Sequence, residues 1–287
     1  MPMATPAVPE PDLDQLRRWI GREETAEDVV TADLARKFNA TLDLPGQPPR
    51  AGEAAPRLIH FCLGQPAAPT AALGPDGHPE RGGFLPPVPL PRRMWAGGSI
   101  AFDGELRVGD AVRRVSRITD VVAKQGRTGP LCFVTVEHVI EAGGRVAVRE
   151  RQDLVYRGPD SGEKAPAPPA EPGRHRRRVE AGAPLLFRYS ALTFNGHRIH
   201  YDRRHATEAE GYPGLVVHGP LQTTLLCHFA AAIHGAPPAR FAFRSHSPLF
   251  DGDAIMLHAG EVGGGTLRLW TARDGGPVAM AVEAGWD

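Results

Sequence analysis

The chain has 287 residues, and its 33 lysine and arginine residues balance its 33 aspartate and glutamate residues, so the formal net charge is zero. This balance argues against a nucleic-acid-binding surface and against a polybasic membrane binder. The length allows either one large domain or two domains of about 140 residues each.

No targeting or membrane-spanning segment is predicted. The first residues are rich in proline and acidic side chains and lack the basic and apolar parts of a secretory signal, and no run of about 18 apolar residues follows. Cys62, Cys132 and Cys227 are scattered without a CxxC pair, which disfavours a cysteine metal site or a disulfide framework. We therefore expect a soluble cytoplasmic protein that needs no metal or redox cofactor.

The first third of the chain predicts a helical start followed by irregular structure. Residues 12–41 have apolar residues on one helical face, and Thr31 or Asp33 could start a second short helix through Phe38. The segment 42–91 is rich in proline and glycine and contains FLPPVPLP at 84–91, which excludes a regular helix or a central strand. We expect this segment to wrap the surface of a domain.

The rest of the chain predicts strands around one helix. Dense β-branched residues on either side of Gly143-Gly144 indicate a β-hairpin between residues 94 and 157. Residues 158–178 lose all apolar periodicity and predict a semi-extended linker. A helix is predicted from Pro220 to His234, with strands at 240–247, 254–263, 266–273 and 277–285.

Two short internal matches occur in the same order in both halves. GELRVGDAV at 104–112 matches PLFDGDAI at 248–255, and EAGGRVAV at 141–148 matches RDGGPVAM at 273–280. The matches favour a duplicated β-rich unit over two unrelated domains. A long helix followed by antiparallel strands suits an α+β sheet wrapped on one helix.

The segment from Leu192 to Leu226 carries the strongest chemical signal. A polar, histidine-rich loop, FNGHRIHYD, lies about one helix length before an apolar run that opens with His218-Gly219-Pro220. This layout suits a base and a helix N-terminus that act together on a carbonyl group.

These residues resemble the MaoC-like hydratase/dehydratase family. That family's loop reads Asp-x-Asn-Pro-aliphatic-His and is followed by an aliphatic-His-Gly segment at the start of the central helix. In this chain the loop reads NGHRIH at 195–200, and the helix start reads VHG at 217–219. The resemblance implies a double hot-dog fold of the α+β class, in which each of two antiparallel sheets wraps a central helix.

The match is closer to one branch, which comprises 3-methylfumaryl-CoA (mesaconyl-CoA) hydratases, itaconyl-CoA hydratases and hydroxyacyl-thioester dehydratases. WIGREE at 19–24, LGPDGHP at 73–79, GGFLPPVPLPRRMWAGG at 82–98 and RQDLVYR at 151–157 extend it over nearly the whole chain. It implies an N-terminal hot-dog domain at 12–157 that is degenerate and non-catalytic, the linker at 158–178, and a catalytic domain at 179–287.

Hydration of an enoyl thioester requires a base for the attacking water, an acid for Cα and a donor to the enolate-like oxygen. We assign His200 as the general base, since the ordinary pKa of histidine is near neutrality. Asn195 stands where the wider family has aspartate; an amide cannot act as a base, so we expect it to orient the water. The backbone N–H of Gly219 is expected to hold the oxyanion, with Pro220 at the first helical position.

Five further residues are candidates for substrate binding. His197 either contacts an acyl carboxylate or braces the loop, and His218 is expected to be structural rather than a second base. An arginine would suit a free carboxylate, so Arg198 or Arg244 could bind it, although each could instead form a surface salt bridge. Tyr201 is a neighbouring candidate. Asp202 could fix the His200 tautomer or face solvent, and RHRRR at 174–178 could meet the CoA phosphates or belong to a solvated linker.

The sequence therefore predicts reversible hydration of a short acyl-CoA, with a branched C4-dicarboxyl group such as 3-methylfumaryl-CoA (mesaconyl-CoA) or itaconyl-CoA. Coenzyme A enters only as part of the substrate. Two alternatives stay open: a hot-dog thioesterase, since fold alone does not fix chemistry, and a non-catalytic acyl-CoA-binding protein. A homodimer is an open alternative for the assembly.

Overall fold

One continuous antiparallel sheet dominates the structure. The computed structural model describes residues 11–126, 129–158 and 167–286. Within these ranges ten strands form a sheet in the order β1-β3-β4-β5-β2-β7-β10-β9-β8-β6. The strands are β1 (Glu23–Val29), β2 (Arg92–Ala101), β3 (Ala111–Gly126), β4 (Gly129–Ala142), β5 (Arg145–Arg157), β6 (His175–Glu180), β7 (Arg240–Ser245), β8 (Ala254–Ala259), β9 (Thr266–Ala272) and β10 (Val278–Gly285).

Four α-helices accompany the sheet: α1 (Leu13–Arg17), α2 (Ala32–Leu42), α3 (Ala183–Leu192) and α4 (Gly219–His234). Helix α4 packs on β7, β8, β9 and β10, while α2 packs against α3. Short 3-10 turns lie at Ile59–Cys62, Thr70–Ala72 and Arg198–His200, with a π-helical turn at His205–Ala209. No helix in the described ranges has the length and apolar character that crossing a bilayer would require.

The strand order reads the same from both edges, which confirms the duplicated unit. The series β1-β3-β4-β5-β2 from one edge matches β6-β8-β9-β10-β7 from the other. Turns that contain two adjacent glycines, Gly143-Gly144 and Gly275-Gly276, connect the paired hairpins β4–β5 and β9–β10. The two half-sheets meet edge to edge through β2 and β7, as in a double hot-dog fold.

The two halves differ in what covers the sheet. In the second half the long helix α4, predicted for 220–234, covers the face of the sheet formed by β7, β8, β9 and β10. In the described part of the first half no helix of that length exists, and the irregular segment 43–91 takes part in the core instead. The expectation that this segment only wraps the surface was therefore wrong, because it supplies the buried side chains Leu58, Ile59, Leu63, Val88 and Leu90.

The prediction of helix across 12–41 was wrong over its middle part. Helix α1 ends at Arg17, and β1 then pairs with β3 from Glu23↔Arg117 to Val29↔Ala111. Backbone pairing stabilises this edge strand, whose side chains are mostly exposed and therefore leave no apolar pattern in the sequence. The predicted second helix is confirmed, since the Thr31 hydroxyl accepts a hydrogen bond from Leu34 N–H and caps α2.

The predicted linker is too long at its C-terminal end. Residues 159–166 lie outside the described residues, but residues 175–178 belong to β6, which pairs with β8 from His175↔Ala259 to Glu180↔Ala254. This strand is also an edge strand with alternating exposed side chains. The hairpin around Gly143-Gly144 and the four later strands are confirmed, with ends that differ by up to four residues.

Two glycines allow the halves to join closely. Gly97 and Gly98 of β2 pair with Arg244 and Phe243 of β7. A Cβ atom at Gly98 would fall on the Arg151 carbonyl oxygen and come within 2.8 Å of the Phe243 ring. The seam between the half-sheets therefore requires a residue without a side chain at this position.

We expect Gly98→Ala to lower the free energy of unfolding by about 1–3 kcal/mol, because the methyl group would push backbone and ring apart in a packed interior. Urea unfolding followed by circular dichroism measures the change. Gly263→Ala is the matched control, since a Cβ atom there would meet no atom within 4 Å. Equal stability of the two variants would show that the seam tolerates the extra methyl group.

Candidate active site

The histidine-rich loop begins where α3 ends and is shaped by its own backbone contacts. Asn195 N–H donates to the Ser190 carbonyl at 2.9 Å, and the Asn195 side-chain oxygen accepts from His197 N–H at 3.0 Å. This Asx turn leads into the 3-10 turn at 198–200. The side-chain Nδ2 of Asn195 remains as a donor, which is consistent with orienting a water molecule.

His200 is held in one tautomer. Its side chain is only 7% exposed, and its Nδ1 lies 2.7 Å from the Val216 carbonyl oxygen. A carbonyl oxygen only accepts, so Nδ1 carries the proton and Nε2 keeps its lone pair. Within the described residues nothing hydrogen bonds to Nε2, which leaves this nitrogen available as a base.

Burial keeps His200 neutral. Desolvation lowers the pKa of His200 from 6.5 to about 4, although the bond to the Val216 carbonyl opposes the shift. The imidazole is therefore neutral at neutral pH, with a proton on Nδ1 only. In this form Nε2 can accept a proton from water.

His218 packs against His200 and is itself enclosed. The two rings stack with centroids 3.7 Å apart, and His218 Nε2 lies 2.8 Å from the Ser190 hydroxyl. Burial and the neighbouring His200 hold the pKa of His218 well below its ordinary value. The structural role expected for His218 stays a prediction.

Gly219 begins α4 directly after His218, so the helix N-terminus lies beside the His200 ring. As the first helical residue, Gly219 has a backbone N–H without an acceptor inside the helix. Pro220 occupies the second helical position rather than the predicted first. A Cβ atom on Gly219 would come within 2.8 Å of the Trp95 ring, which stacks on Phe243 at 4.2 Å.

The first half of the chain contributes residues that the sequence analysis did not assign. The His78 ring lies 4.1 Å from the His197 ring, and His197 lies 5.3 Å from His200. Asp76 binds His78 Nδ1 at 3.0 Å. The signal was present in LGPDGHP at 73–79, but only the tertiary structure places this Asp-Gly-His segment beside the histidine-rich loop.

Two glycines dock the first-half loop on the catalytic loop. A Cβ atom on Gly77 would fall on the Gly196 carbonyl, and one on Gly196 would approach the Gly77 carbonyl oxygen at 2.5 Å. Arg198 N–H donates to the Asp76 carbonyl, and the Arg198 guanidinium donates to the Pro75 carbonyl, both at 2.9 Å. The two halves thus build one site.

Burial also lowers the pKa of the other two rings. Desolvation and the Arg93 charge lower the pKa of His78 to about 4, against the opposing effect of Asp76. Desolvation and the nearby His78 and His200 hold the pKa of His197 well below its usual range. At neutral pH the free site therefore carries four adjacent neutral imidazoles, those of His78, His197, His200 and His218.

Several predicted binding residues serve the loop rather than the site. Arg198 pairs with Asp202 at 2.7 Å, and Tyr201 donates its hydroxyl hydrogen bond to the Gly196 carbonyl. Asp202 does not contact His200, whose tautomer is fixed by Val216. Arg244 is exposed on the face of β7 opposite Phe243 and Trp95, so the structure does not bring it into the site.

The basic segment 174–178 is likewise engaged elsewhere. Arg174 pairs with Glu261 at 2.6 Å, Arg178 pairs with Glu180 at 2.7 Å, and Arg177 lies over the Phe229 ring. These side chains therefore have partners of their own, while backbone pairing with β8 holds β6 at the sheet edge.

Asp76, His78 and His197 also meet the distance requirement for a metal site. Each offers one ligand atom, and these atoms lie within 4.8 Å of one another. Two imidazoles and a carboxylate suit several divalent metals. In the structure, however, Asp76 already binds His78 through a hydrogen bond, which accounts for their proximity without an ion.

Comparison with known proteins gives the family. The model for hydroxyacyl-thioester dehydratase type 2 matches residues 58–251. A mesaconyl-C(4)-CoA hydratase from Chloroflexus aurantiacus is 45% identical over 272 residues, which cover 90% of this chain and 97% of the relative. The mitochondrial hydroxyacyl-thioester dehydratase type 2 of Schizosaccharomyces pombe is 37% identical over 92 residues, or 31% of this chain and 29% of the relative.

Solved structures agree on the fold. A MaoC-like dehydratase from Phytophthora capsici has a TM-score of 0.69 at 15% identity and covers 96% of this chain and 99% of its own. HtdX from Mycobacterium tuberculosis has a TM-score of 0.67 at 19% identity, with coverages of 91% and 98%. A second protein of that organism, with a double hot-dog fold, has a TM-score of 0.53 at 16% identity, with coverages of 96% and 98%.

The family match, the nearly full-length relative and the shared fold lead to one assignment: this chain belongs to the hydroxyacyl-thioester dehydratase type 2 family, is a hydro-lyase, and has the double hot-dog fold seen in the MaoC-like dehydratases.

Proposed function

We propose that the enzyme adds water reversibly across the double bond of a branched C4-dicarboxyl enoyl-CoA, with mesaconyl-C(4)-CoA as the favoured substrate and itaconyl-CoA as a related one. The observation that carries the proposal is the neutral His200, whose free Nε2 lies beside the N-terminus of α4. The dicarboxyl acyl class is supported by the relative that matches 90% of the chain.

The proposed reaction uses one histidine twice. His200 Nε2 takes a proton from a water molecule oriented by the Asn195 amide, and the water oxygen forms a bond to Cβ. The electron pair of the double bond moves toward the thioester carbonyl, whose oxygen gains negative charge. The imidazolium then returns the proton to Cα, so that one water molecule has been added and the base is restored.

The helix N-terminus is proposed to stabilise the enolate-like oxygen. Gly219 N–H supplies a hydrogen bond, and the dipole of the 16-residue helix α4 favours negative charge at this end. Since Trp95 packs on the glycine, the region around this N–H is partly shielded from water. A hydrogen bond to developing charge is stronger in such an environment than in bulk solvent.

The proposal includes catalysis without a metal or redox cofactor, since the proton transfers need only His200. We also propose a reducing, cytoplasmic location, which the three free cysteines support. A homodimer stays a prediction.

The first test is a substrate panel of mesaconyl-C(4)-CoA, itaconyl-CoA, crotonyl-CoA and a longer enoyl-CoA. With the conjugated substrates we expect loss of enoyl-thioester absorbance without release of free thiol, and with itaconyl-CoA formation of the hydrated product by mass spectrometry. The dicarboxyl substrates should give the highest kcat/KM. Dialysis against EDTA should leave these rates unchanged. Thiol release would indicate a thioesterase instead, and activity that EDTA removes and zinc restores would make Asp76, His78 and His197 a metal site.

His200→Ala should lower kcat by about 100- to 10,000-fold, the usual contribution of a positioned general base. Steady-state hydration rates measure the loss, and circular dichroism checks that the variant is folded. His246→Ala is the matched control, because that histidine is exposed on the segment after β7 and should keep wild-type rates. A folded His200→Ala enzyme with wild-type activity would contradict the assignment.

The lowered pKa of His200 predicts the pH profile. The neutral base is required, so kcat/KM should stay constant from pH 8 to about pH 5 and fall as the pH drops toward the pKa of about 4. Crotonyl-CoA is the substrate for this measurement, since it has no carboxylate that titrates in the same range. Circular dichroism at each pH separates loss of activity from acid unfolding, and an acidic limb near pH 6.5 would show that burial does not shift this base.

A further inference from the structure

Arg93 lies in β2 two residues before Trp95, so strand alternation places both side chains on the same face of the sheet. Trp95 on that face covers Gly219 at the start of α4. The Arg93 charge also reaches the two histidines of the adjoining loops, since it lowers the pKa of both His78 and His197. Arg93 therefore belongs to the wall of the site, although it comes from the first half of the chain.

Arg93 has no carboxylate partner of its own among the residues that the structure describes. Its neighbours differ in this respect, because Arg92 pairs with Glu210 and Arg198 pairs with Asp202. The pairing partner of Arg93 across β2 and β5 is Tyr156, whose buried phenol interacts with the Arg93 side chain. Burial raises the pKa of Tyr156, so the phenol stays neutral and leaves the Arg93 charge uncompensated. A half-buried arginine without a counter-ion favours binding of an anion.

His78 lies in the loop beside the site, and its ring is neutral in the free enzyme because burial and the Arg93 charge lower its pKa. Asp76 binds its Nδ1 and receives a further hydrogen bond from the His78 backbone N–H, so the ring is fixed with Nε2 as its free nitrogen. An anion beside His78 would favour the imidazolium form, which donates from Nε2, while the Asp76 carboxylate balances the new charge.

We propose that Arg93 and His78 form the subsite that binds the free carboxylate of the acyl group, with His197 between this subsite and His200. The inference rests on the proposed dicarboxyl substrate. In this arrangement the charged end of the substrate is recognised by the first half of the chain, which was predicted to be non-catalytic. Asp76 is a positioning residue in this arrangement, since it acts through His78.

The spacing favours a substrate carboxylate over a CoA phosphate. The His197 ring contacts both the His78 ring and the His200 ring, so the subsite is one side chain away from the base. In a four-carbon dicarboxyl chain the two carboxyl carbons are separated by three C–C bonds of about 1.5 Å each. The CoA phosphates, at the far end of the pantetheine arm, would not lie this close to the reacting carbon.

This subsite would also assist the chemistry. The free carboxylate of mesaconyl-C(4)-CoA is bonded to Cβ, the atom that water attacks, and its negative charge repels the partly deprotonated water. Arg93 and the His78 imidazolium reduce that repulsion. An enoyl group without the carboxylate has no such repulsion and would not depend on these residues.

The test compares Arg93→Gln, Arg93→Lys and wild-type enzyme on mesaconyl-C(4)-CoA and on crotonyl-CoA, an uncharged enoyl group of similar size. Loss of a charge-assisted hydrogen bond should lower kcat/KM of Arg93→Gln for mesaconyl-C(4)-CoA by about 10- to 100-fold, mainly through KM. The rate with crotonyl-CoA should change by less than about threefold. Arg93→Lys should recover part of the loss, because it keeps the charge without the bidentate geometry.

Arg113→Gln is the control for removal of a positive charge, since Arg113 is exposed and pairs with Glu141. If Arg93→Gln lowers the activity on both substrates equally, or on neither, the proposed subsite is wrong. Turnover of mesaconyl-C(4)-CoA by the wild-type enzyme would still support the proposed substrate in that case. A wild-type enzyme that hydrates crotonyl-CoA but not mesaconyl-C(4)-CoA would instead overturn the substrate, and the carboxylate subsite with it. Mesaconyl-specific loss with partial recovery in Arg93→Lys would support the proposal.

Discussion

The seam between β2 and β7 is the constraint on which the site depends. It joins the two half-sheets through a short antiparallel pairing in which Gly97 and Gly98 lie against Phe243 without intervening side chains. Just before the seam, Trp95 stacks on Phe243 and covers the start of α4. The close approach of the two halves therefore fixes the position of the α4 N-terminus relative to the side chains of β2, such as Trp95. This position depends on elements from both halves.

Desolvation sets the chemistry of the site. His78, His197, His200 and His218 lie in a chain of ring contacts, and burial is the largest cause of the lowered pKa in each of them. Adjacent imidazoles would repel one another if they were charged, so the cluster is stable in its neutral form. Hydrogen bonds then differentiate the rings, since a carbonyl fixes His200, a hydroxyl contacts His218 and a carboxylate binds His78.

The duplication explains how one half could change its role. Both halves keep the same strand order, but only the second retains a long helix on its concave face. In the first half the segment 43–91 enters the core through Leu58, Ile59 and Leu63 and then extends to the loop that carries Asp76 and His78. The first half thus has the shorter helix α2 and a long irregular segment that reaches the candidate site, where the second half has the long helix α4.

The sequence by itself determined the elements with a strong local pattern. Helix α4, the Gly143-Gly144 hairpin, the later strands and the internal repeat all follow from residues near one another in the chain. Two of the failures of sequence-based prediction have a common physical cause: β1 and β6 are polar edge strands held by backbone pairing, which leaves little apolar periodicity in their side chains. Only the tertiary structure decided that Arg198 braces a loop and that Arg244 faces outward, because the first depends on side-chain contacts and the second on which face of β7 is covered. It also brought Asp76 and His78 to the histidine-rich loop, because that placement depends on contacts between the two halves.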